Sequence, residues 1–117
     1  QWSGLGYGAV DSAMHLTHCL RHVHFDNGDE EKLIDYYLAR VKGRSRFTME
    51  KDEFVRMYKI GLCDFGRFLI SVFYTNASPE VFEAKKDKEN VCFANRNGLA
   101  AISVCKRLSR FLDELGF

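Results

Sequence analysis

Apolar residues recur at helical spacing over most of the chain, with polar and charged residues between them. Residues three, four and seven positions apart lie on one face of an α-helix, so each such stripe predicts a helix with one buried face. Pro79 is the only proline, and no segment after the first two residues has the pattern of a strand. The sequence therefore predicts an all-α fold.

Caps and stripes divide the chain into about five helices. The first is predicted to cover about 9–23, and the second runs to about 42 after a cap and acidic first turn at 27–31. The basic loop 42–46 ends the second helix, and Thr48 can cap the third. The first two stripes consist of Val10, Ala13, Met14, Thr17 and Leu20, and of Leu33, Ile34, Tyr37, Leu38 and Val41.

The third helix is predicted to be long, about 27 residues, and central to the fold. Met57, Ile60 and Phe68 widen its stripe beyond one face, so we expect other elements to surround it. Gly61 and Gly66 each cost about 1 kcal/mol relative to alanine, which indicates that they allow a neighbour to approach closely. The stripe itself consists of Phe54, Tyr58, Leu62, Phe65, Leu69, Val72 and Phe73.

Two further helices are predicted after residue 77. Ser78 is a predicted N-cap, and Pro79 suits the first position of a short, charged helix. The last helix is predicted to end at Gly116 in a left-handed C-cap. Its predicted stripe is Ile102, Cys105, Leu108, Leu112 and Leu115.

The composition fits one folded domain, because 46% of the 117 residues are hydrophobic and 14% are aromatic. A net charge of +1 gives no overall field that would attract nucleic acid or an anionic membrane. No apolar run reaches the roughly 18 residues of a membrane span. We therefore expect a soluble, cytoplasmic protein without a nucleic-acid or membrane partner.

The cysteines at 19, 63, 92 and 105 are far apart and form no C-x-x-C motif, so neither a zinc ribbon nor a dithiol redox motif is supported. Two disulfides would be the alternative in a secreted protein. Because each cysteine lies within a helical pattern, buried free thiols are the favoured interpretation.

His15, His18 and His22 recur on one predicted helical face, with Cys19 and His24 nearby. Neutral imidazoles at such spacing can bind zinc or nickel. No H-E-x-x-H motif or second ligand cluster completes a site. A histidine stripe on the surface or between helices is therefore favoured, and no metal ligand is assigned.

Glycines 4, 6 and 8 lead into the first helix, which is a geometry suited to a phosphate group. Their spacing lacks the last glycine of a nucleotide-binding fingerprint, so a tight turn between a strand end and the helix is favoured for 1–8. Asp64-Phe65-Gly66 matches the magnesium-binding triplet of protein kinases but falls in the middle of a predicted helix. Asp64 can instead pair with Arg67 one turn later, or reach a ligand.

The segment from Gln1 to Leu16, QWSGLGYGAVDSAMHL, resembles the stretch after the metal-binding Asp in aminoglycoside phosphotransferases and choline-kinase-like enzymes. In that family an Asp-Phe pair is followed by Gln-Trp or similar, by a glycine-bearing turn and by an Asp in a helix. Residues 31–38 and 108–116 are similar to later helices of the family. The resemblance therefore spans nearly the whole chain.

This resemblance implies the helical C-terminal part of the large lobe of a protein-kinase-like fold. The His-Gly-Asp catalytic loop and the metal-binding Asp would precede Gln1, and a sequence that opens without methionine agrees with that expectation. The family transfers the γ-phosphate of ATP, with Mg²⁺, to a hydroxyl group of a small molecule. The implied partners are the missing N-terminal part of the lobe and this hydroxyl acceptor.

Only a few roles are implied for individual residues. Asp11 matches the structural helix Asp that is expected to brace the catalytic loop, and Gln1 and Trp2 match the edge of the metal and nucleotide site. Asp64 and Arg67 are candidate substrate contacts, since C-terminal helices build much of the acceptor pocket in this family. A surface pair without a ligand is an equal alternative for them.

The resemblance thus implies a chain that supplies acceptor-pocket wall and lobe stability, with no catalytic or cofactor-binding group of its own. By itself this segment is expected to be inactive. The alternative function is a self-contained helical interaction module, in which the aromatic stripes form a groove for a partner helix.

Overall fold

The structure is a computed structural model that describes residues 8–42 and 49–117. Within these ranges the chain forms helices and no strand, which confirms the all-α prediction. The strand end and glycine turn predicted for 1–8 lie outside the described residues, except for Gly8. The helices are α1 (Gly8–Cys19), α2 (His22–Asp26), α3 (Asp29–Lys42), α4 (Lys51–Phe68), α5 (Pro79–Lys85), α6 (Phe93–Arg96) and α7 (Gly98–Leu115).

The central element is α4, which packs along both α1 and α7. It continues directly into a π-helical turn, Leu69–Phe73, where the Tyr74 N–H donates to the carbonyl of Leu69 over 3.0 Å. The long central helix is therefore confirmed. It begins at Lys51 with Glu50 in the cap position, and the predicted cap Thr48 lies outside the described residues.

The core forms where α1, α4 and α7 meet. Ala13 and Leu62 are completely buried, and Tyr58 and Leu69 are nearly so. Ile34 of α3 and Ala94 of α6 extend this core at its edges. The whole buried cluster is Ala9, Ala13, Ile34, Phe54, Tyr58, Leu62, Leu69, Ala94, Val104, Leu108 and Phe111.

Gly61 and Gly66 bring these helices close together, as the sequence predicted. A Cβ atom at position 61 would lie 2.9 Å from the Cα of Val10 on α1, closer than side chains approach a backbone. A Cβ atom at position 66 would collide with the side chain of Leu108 on α7. Each glycine loses about 1 kcal/mol of helix propensity but permits tight packing of α4 against a neighbour.

The predicted first helix, 9–23, is divided into two. α1 ends at Cys19, and Arg21 has an extended backbone with φ −80° and ψ 158° before α2 begins. No glycine or proline marks this break. We attribute it to tertiary packing, because α2 packs on α7, where Phe25 lies against Arg107.

The stripe predicted for the last helix is partly out of phase with the observed core face. Ile102 is 53% exposed, and Cys105 and Leu112 are exposed as well. The helix carries two adjacent apolar arcs, and its contacts with α4 decide which one is buried. The buried face consists of Ala100, Ala101, Val104, Arg107, Leu108 and Phe111.

Helix ends and cysteines complete the comparison. Ser78 caps α5, because its hydroxyl accepts the N–H of Val81 over 3.2 Å, and Gly116 ends α7 with a left-handed φ of 87°. Both predictions are confirmed.

All four cysteines are free thiols, but Cys19 and Cys105 are exposed, so the predicted burial is wrong for these two. None of the helices described is both long and apolar enough to cross a membrane.

One buried ion pair joins three helices that are distant in sequence. Glu30, near the start of α3, accepts hydrogen bonds from Nη2 of Arg107 on α7 and, over 2.6 Å, from the hydroxyl of Tyr58 on α4. Arg107 is 5% exposed, and its guanidinium carbon lies 3.7 Å from the ring centre of Phe25. Burial, followed by the charge of Glu30, raises the pKa of Tyr58, so its hydroxyl remains a donor.

This charged cluster has an energetic cost. Removing each ion from water costs several kcal/mol, which the attraction between the two ions offsets only when both are present and well placed. Nε and Nη1 of Arg107 have no hydrogen-bond partner among the residues described. The main favourable contact that offsets the loss of their hydration is the cation–π contact with the ring of Phe25. Removal of one ion should therefore be more damaging than removal of both.

We predict that Arg107→Met lowers the free energy of unfolding by about 3–5 kcal/mol, because it leaves the Glu30 carboxylate buried without its cation. The double variant Glu30→Leu/Arg107→Met should recover most of this loss. Urea denaturation of the three proteins measures the difference. Arg110→Met, which changes an exposed arginine on the same helix, is the control, and an equal effect of both single variants would contradict the prediction.

Candidate ligand-binding cleft

A cleft of about 570 Å³ lies between α1, the end of α4 with its π-helical turn, and the segment 90–95 that leads into α6. Most of its wall is aliphatic or aromatic, with a few polar side chains among them. This composition is typical of small-molecule sites, where apolar surface supplies affinity and a few polar groups fix orientation. The wall contains Val10, Met14, His18, Gly61, Asp64, Phe65, Arg67, Phe68, Leu69, Phe73, Asn90, Val91, Cys92 and Asn95.

The π-helical turn shapes the aromatic part of this wall. Helical spacing along α4 places the rings of Phe65 and Phe68 6.2 Å apart. The wider π-helical turn then sets Phe73 edge-on to Phe68 at 5.6 Å. His18 of α1 adds a fourth ring, 5.0 Å from Phe65. The cluster forms a continuous apolar face, and such π-turns occur frequently at functional sites.

Asp64 and Arg67 lie on the cleft wall, one turn apart on α4. Nη2 of Arg67 donates to Oδ1 of Asp64 over 3.0 Å, which confirms the predicted pair. Both side chains are exposed, at 73% and 76%, and such pairs contribute roughly 0–1 kcal/mol to stability. A ligand could therefore separate them at little cost to the fold. Their role as substrate contacts stays a prediction.

Asn95 is a buried polar residue of the wall that the sequence did not identify. It is 7% exposed, and its carboxamide oxygen has no hydrogen-bond partner among the described residues. Its backbone is fixed, because its N–H donates to the carbonyl of Cys92 and the Tyr74 hydroxyl donates to the carbonyl of the preceding Ala94. The 93–96 helix is too short for a periodic pattern, so sequence offered no signal for this residue.

Two protonation states in and near the cleft follow from burial. Burial raises the pKa of the Cys92 thiol, so this cysteine is a neutral side chain rather than a nucleophilic thiolate at physiological pH. Burial also raises the pKa of Tyr74, which keeps its hydroxyl available to orient the backbone at Ala94. Neither side chain is therefore an ionised nucleophile at physiological pH.

The three histidines of the predicted stripe have separate environments. On α1, the ring of His15 contacts Cys19, and Nδ1 of His18 donates to the carbonyl of Met14. His22 belongs to α2, and its ring stacks on that of Phe93 in α6. The predicted common face is therefore wrong for His22, since the chain turns at Arg21, whereas His15 and His18 both lie on α1. Within 8–42 and 49–117, no group of three or more His, Cys, Asp or Glu side chains could hold a metal ion.

The remaining predicted residues lie away from this cleft or beyond the described ranges. Asp11 is exposed in the first turn of α1, where a carboxylate suits the helix dipole, and its bracing role stays a prediction. Gln1 and Trp2 lie outside the described residues. Comparisons with protein-family models, with curated proteins and with solved structures gave no match.

We predict that Asn95→Leu leaves the free energy of unfolding unchanged or raises it, because the wild type buries a carbonyl oxygen without a partner, at a cost of about 1–3 kcal/mol. Chemical denaturation measures this. Asn97→Leu is a matched control, since its Oδ1 accepts the N–H of Ala100 and caps α7. The control should lose about 1 kcal/mol. Equal losses in both variants would show that Asn95 is already satisfied in solution.

Proposed function

We propose that this chain is the acceptor-side helical part of an ATP-dependent phosphotransferase that acts on a hydroxyl group of a small molecule. The observation that carries the proposal is the cleft, which combines an aromatic wall with the exposed Asp64–Arg67 pair. The resemblance of residues 1–16 to aminoglycoside phosphotransferases and choline-kinase-like enzymes supports it. Membership of a kinase-like lobe belongs to the same proposal.

In this proposal the chain binds and orients the acceptor. The aromatic wall contacts its apolar part, and Asp64 accepts a hydrogen bond from a hydroxyl near the exposed edge. Orientation matters because phosphoryl transfer depends mainly on positioning and on stabilisation of charge. The chain contributes binding energy and contributes no catalytic group.

ATP and Mg²⁺ belong to the rest of the proposed enzyme. Mg²⁺ is bound through carboxylate and phosphate oxygens. No group of three or more metal-binding side chains comes together among the described residues. The resemblance implies that the nucleotide and its metal are bound by the N-terminal part of the parent lobe, so the proposal assigns only the acceptor cleft to this chain.

The test uses the protein extended by the coding sequence upstream of Gln1, assayed for transfer of the γ-phosphate of ATP to a panel of hydroxyl compounds. We expect ATP-dependent phosphorylation. Asp64→Asn should raise the KM for the acceptor about tenfold, as expected for loss of one charge-assisted hydrogen bond. The KM for ATP should not change, because the nucleotide lies outside this cleft.

The matched control is Glu83→Gln, which disrupts another exposed pair with the same spacing, Glu83–Lys86 at the end of α5. It should leave both KM values unchanged. A folded, extended protein that phosphorylates no hydroxyl compound would overturn the proposed function. An active enzyme in which Asp64→Asn leaves the acceptor KM unchanged would remove this cleft from the proposal.

A second candidate, the helical interaction module, is favoured by a separate apolar groove. This groove of about 890 Å³ lies between α5 and α7, where Leu99 and Ile102 are 65% and 53% exposed. Grooves of this kind bind amphipathic helices. A cooperative thermal transition of the 117-residue chain without aggregation would favour the module, whereas an aggregating, poorly cooperative chain would favour the partial lobe.

A further inference from the structure

A small polar pocket of about 320 Å³ lies beside the cleft, between the end of α1 and the start of α6. His18 and Asn90 belong to both sites, so the two are neighbours. The pocket differs sharply from the cleft in chemistry, because polar side chains form most of its wall. It is lined chiefly by His18, Arg21, Glu89, Asn90, Phe93 and Arg96.

Two arginines share one aromatic ring in this pocket. The guanidinium carbons of Arg21 and Arg96 each lie 5.4 Å from the ring centre of Phe93. Neither guanidinium forms an ion pair with a carboxylate in the described part of the chain. Two unpaired cations beside one ring repel each other, and a bound anion would relieve this repulsion.

Arg96 is held in place before any ligand binds. Its Nε donates to the carbonyl of Val91 over 3.1 Å and its Nη1 donates to the carbonyl of Lys86 over 2.9 Å. These bonds fix the plane of the guanidinium and leave Nη2 available, since no described residue accepts from it. A fixed guanidinium loses little side-chain entropy on binding, so the remaining Nη2 can donate to an oxyanion at little entropic cost.

The other groups of the pocket differ in what they offer an anion. Nδ1 of His18 donates to the carbonyl of Met14 over 2.8 Å, so Nε2 of the neutral ring is an acceptor, and His18 lines the pocket without giving the anion a donor. Asn90 offers a neutral amide donor. Glu89 is the single acid of the wall against two arginines, which leaves the pocket positive.

We propose that this pocket binds the phosphate group of a small molecule, or inorganic phosphate itself. Phosphate presents several acceptor oxygens, which Arg21 and Arg96 can share from different directions, and guanidinium is the side chain best suited to them. The inference needs only the pocket geometry and stands apart from the proposed phosphotransferase.

The experiment titrates the 117-residue protein with sodium phosphate and follows the backbone amide NMR signals of 18–21 and 89–96. Sodium chloride at the same ionic strength separates specific binding from screening. We expect saturable shifts with phosphate and none with chloride. Arg21→Gln should weaken binding about tenfold, as one charge-assisted contact is lost. This side chain is exposed and makes no hydrogen bond with any residue that the structure describes, so the variant should fold.

Arg110→Gln, with the same charge change on α7, is the matched control and should bind phosphate like the wild type. Arg96→Lys keeps the charge but removes the planar fork, so it should also bind more weakly. Methyl phosphate that binds at least as tightly as phosphate would identify a phosphate ester as the ligand, whereas weaker binding would identify the free ion. Equal weakening by Arg21→Gln and Arg110→Gln, or acetate that binds as tightly as phosphate, would overturn the proposal.

Discussion

The buried contact between Glu30 and Arg107 is the constraint on which the helical packing depends. It connects α3 with α7, which lie far apart in the sequence, and the hydroxyl of Tyr58 on α4 donates to the same carboxylate. A purely apolar core could slide in register, because hydrophobic contacts are not directional. A buried charge tolerates no such shift, since a small displacement would leave it without its partner. We infer that this cluster fixes which faces of α3, α4 and α7 meet, in addition to any stability that it provides.

α4 connects this fixed core to the candidate ligand-binding cleft. One side of the helix buries Tyr58 and Leu62, whereas the turn that carries Asp64 and Arg67 reaches solvent. Gly61 allows α1 to approach closely, so that the first helix forms the opposite wall of the cleft. Core packing thus determines the width of the cleft, and the π-helical turn sets where its aromatic face ends. The affinity of this site should therefore respond to substitutions in the core as well as to those in the wall.

The sequence predicted the features that depend on local periodicity and caps: the helical class, the long central helix, the Ser78 and Gly116 caps and the two close-packed glycines. It failed where tertiary contacts overrule local pattern. The turn at Arg21 has no breaker residue and arises from the docking of α2 on α7. Contacts with α4 likewise determine which of the two apolar arcs on α7 is buried. Of the cleft, sequence suggested Asp64 and Arg67 but could not suggest Asn95, because a single polar residue in a four-residue helix has no periodic signal.

The protein contains two kinds of ion pair, one buried in the core and one exposed on the wall of the cleft. Glu30 and Arg107 are buried, so each depends on the other and neither can exchange its partner for a ligand without a large loss of stability. Asp64 and Arg67 are screened by solvent, and their separation changes the folding free energy very little. A ligand can therefore recruit the exposed pair while the core remains intact. In the proposed function, the groups that would bind the acceptor are exposed and the framework beneath them is buried, so surface substitutions would change the binding groups without a change of fold.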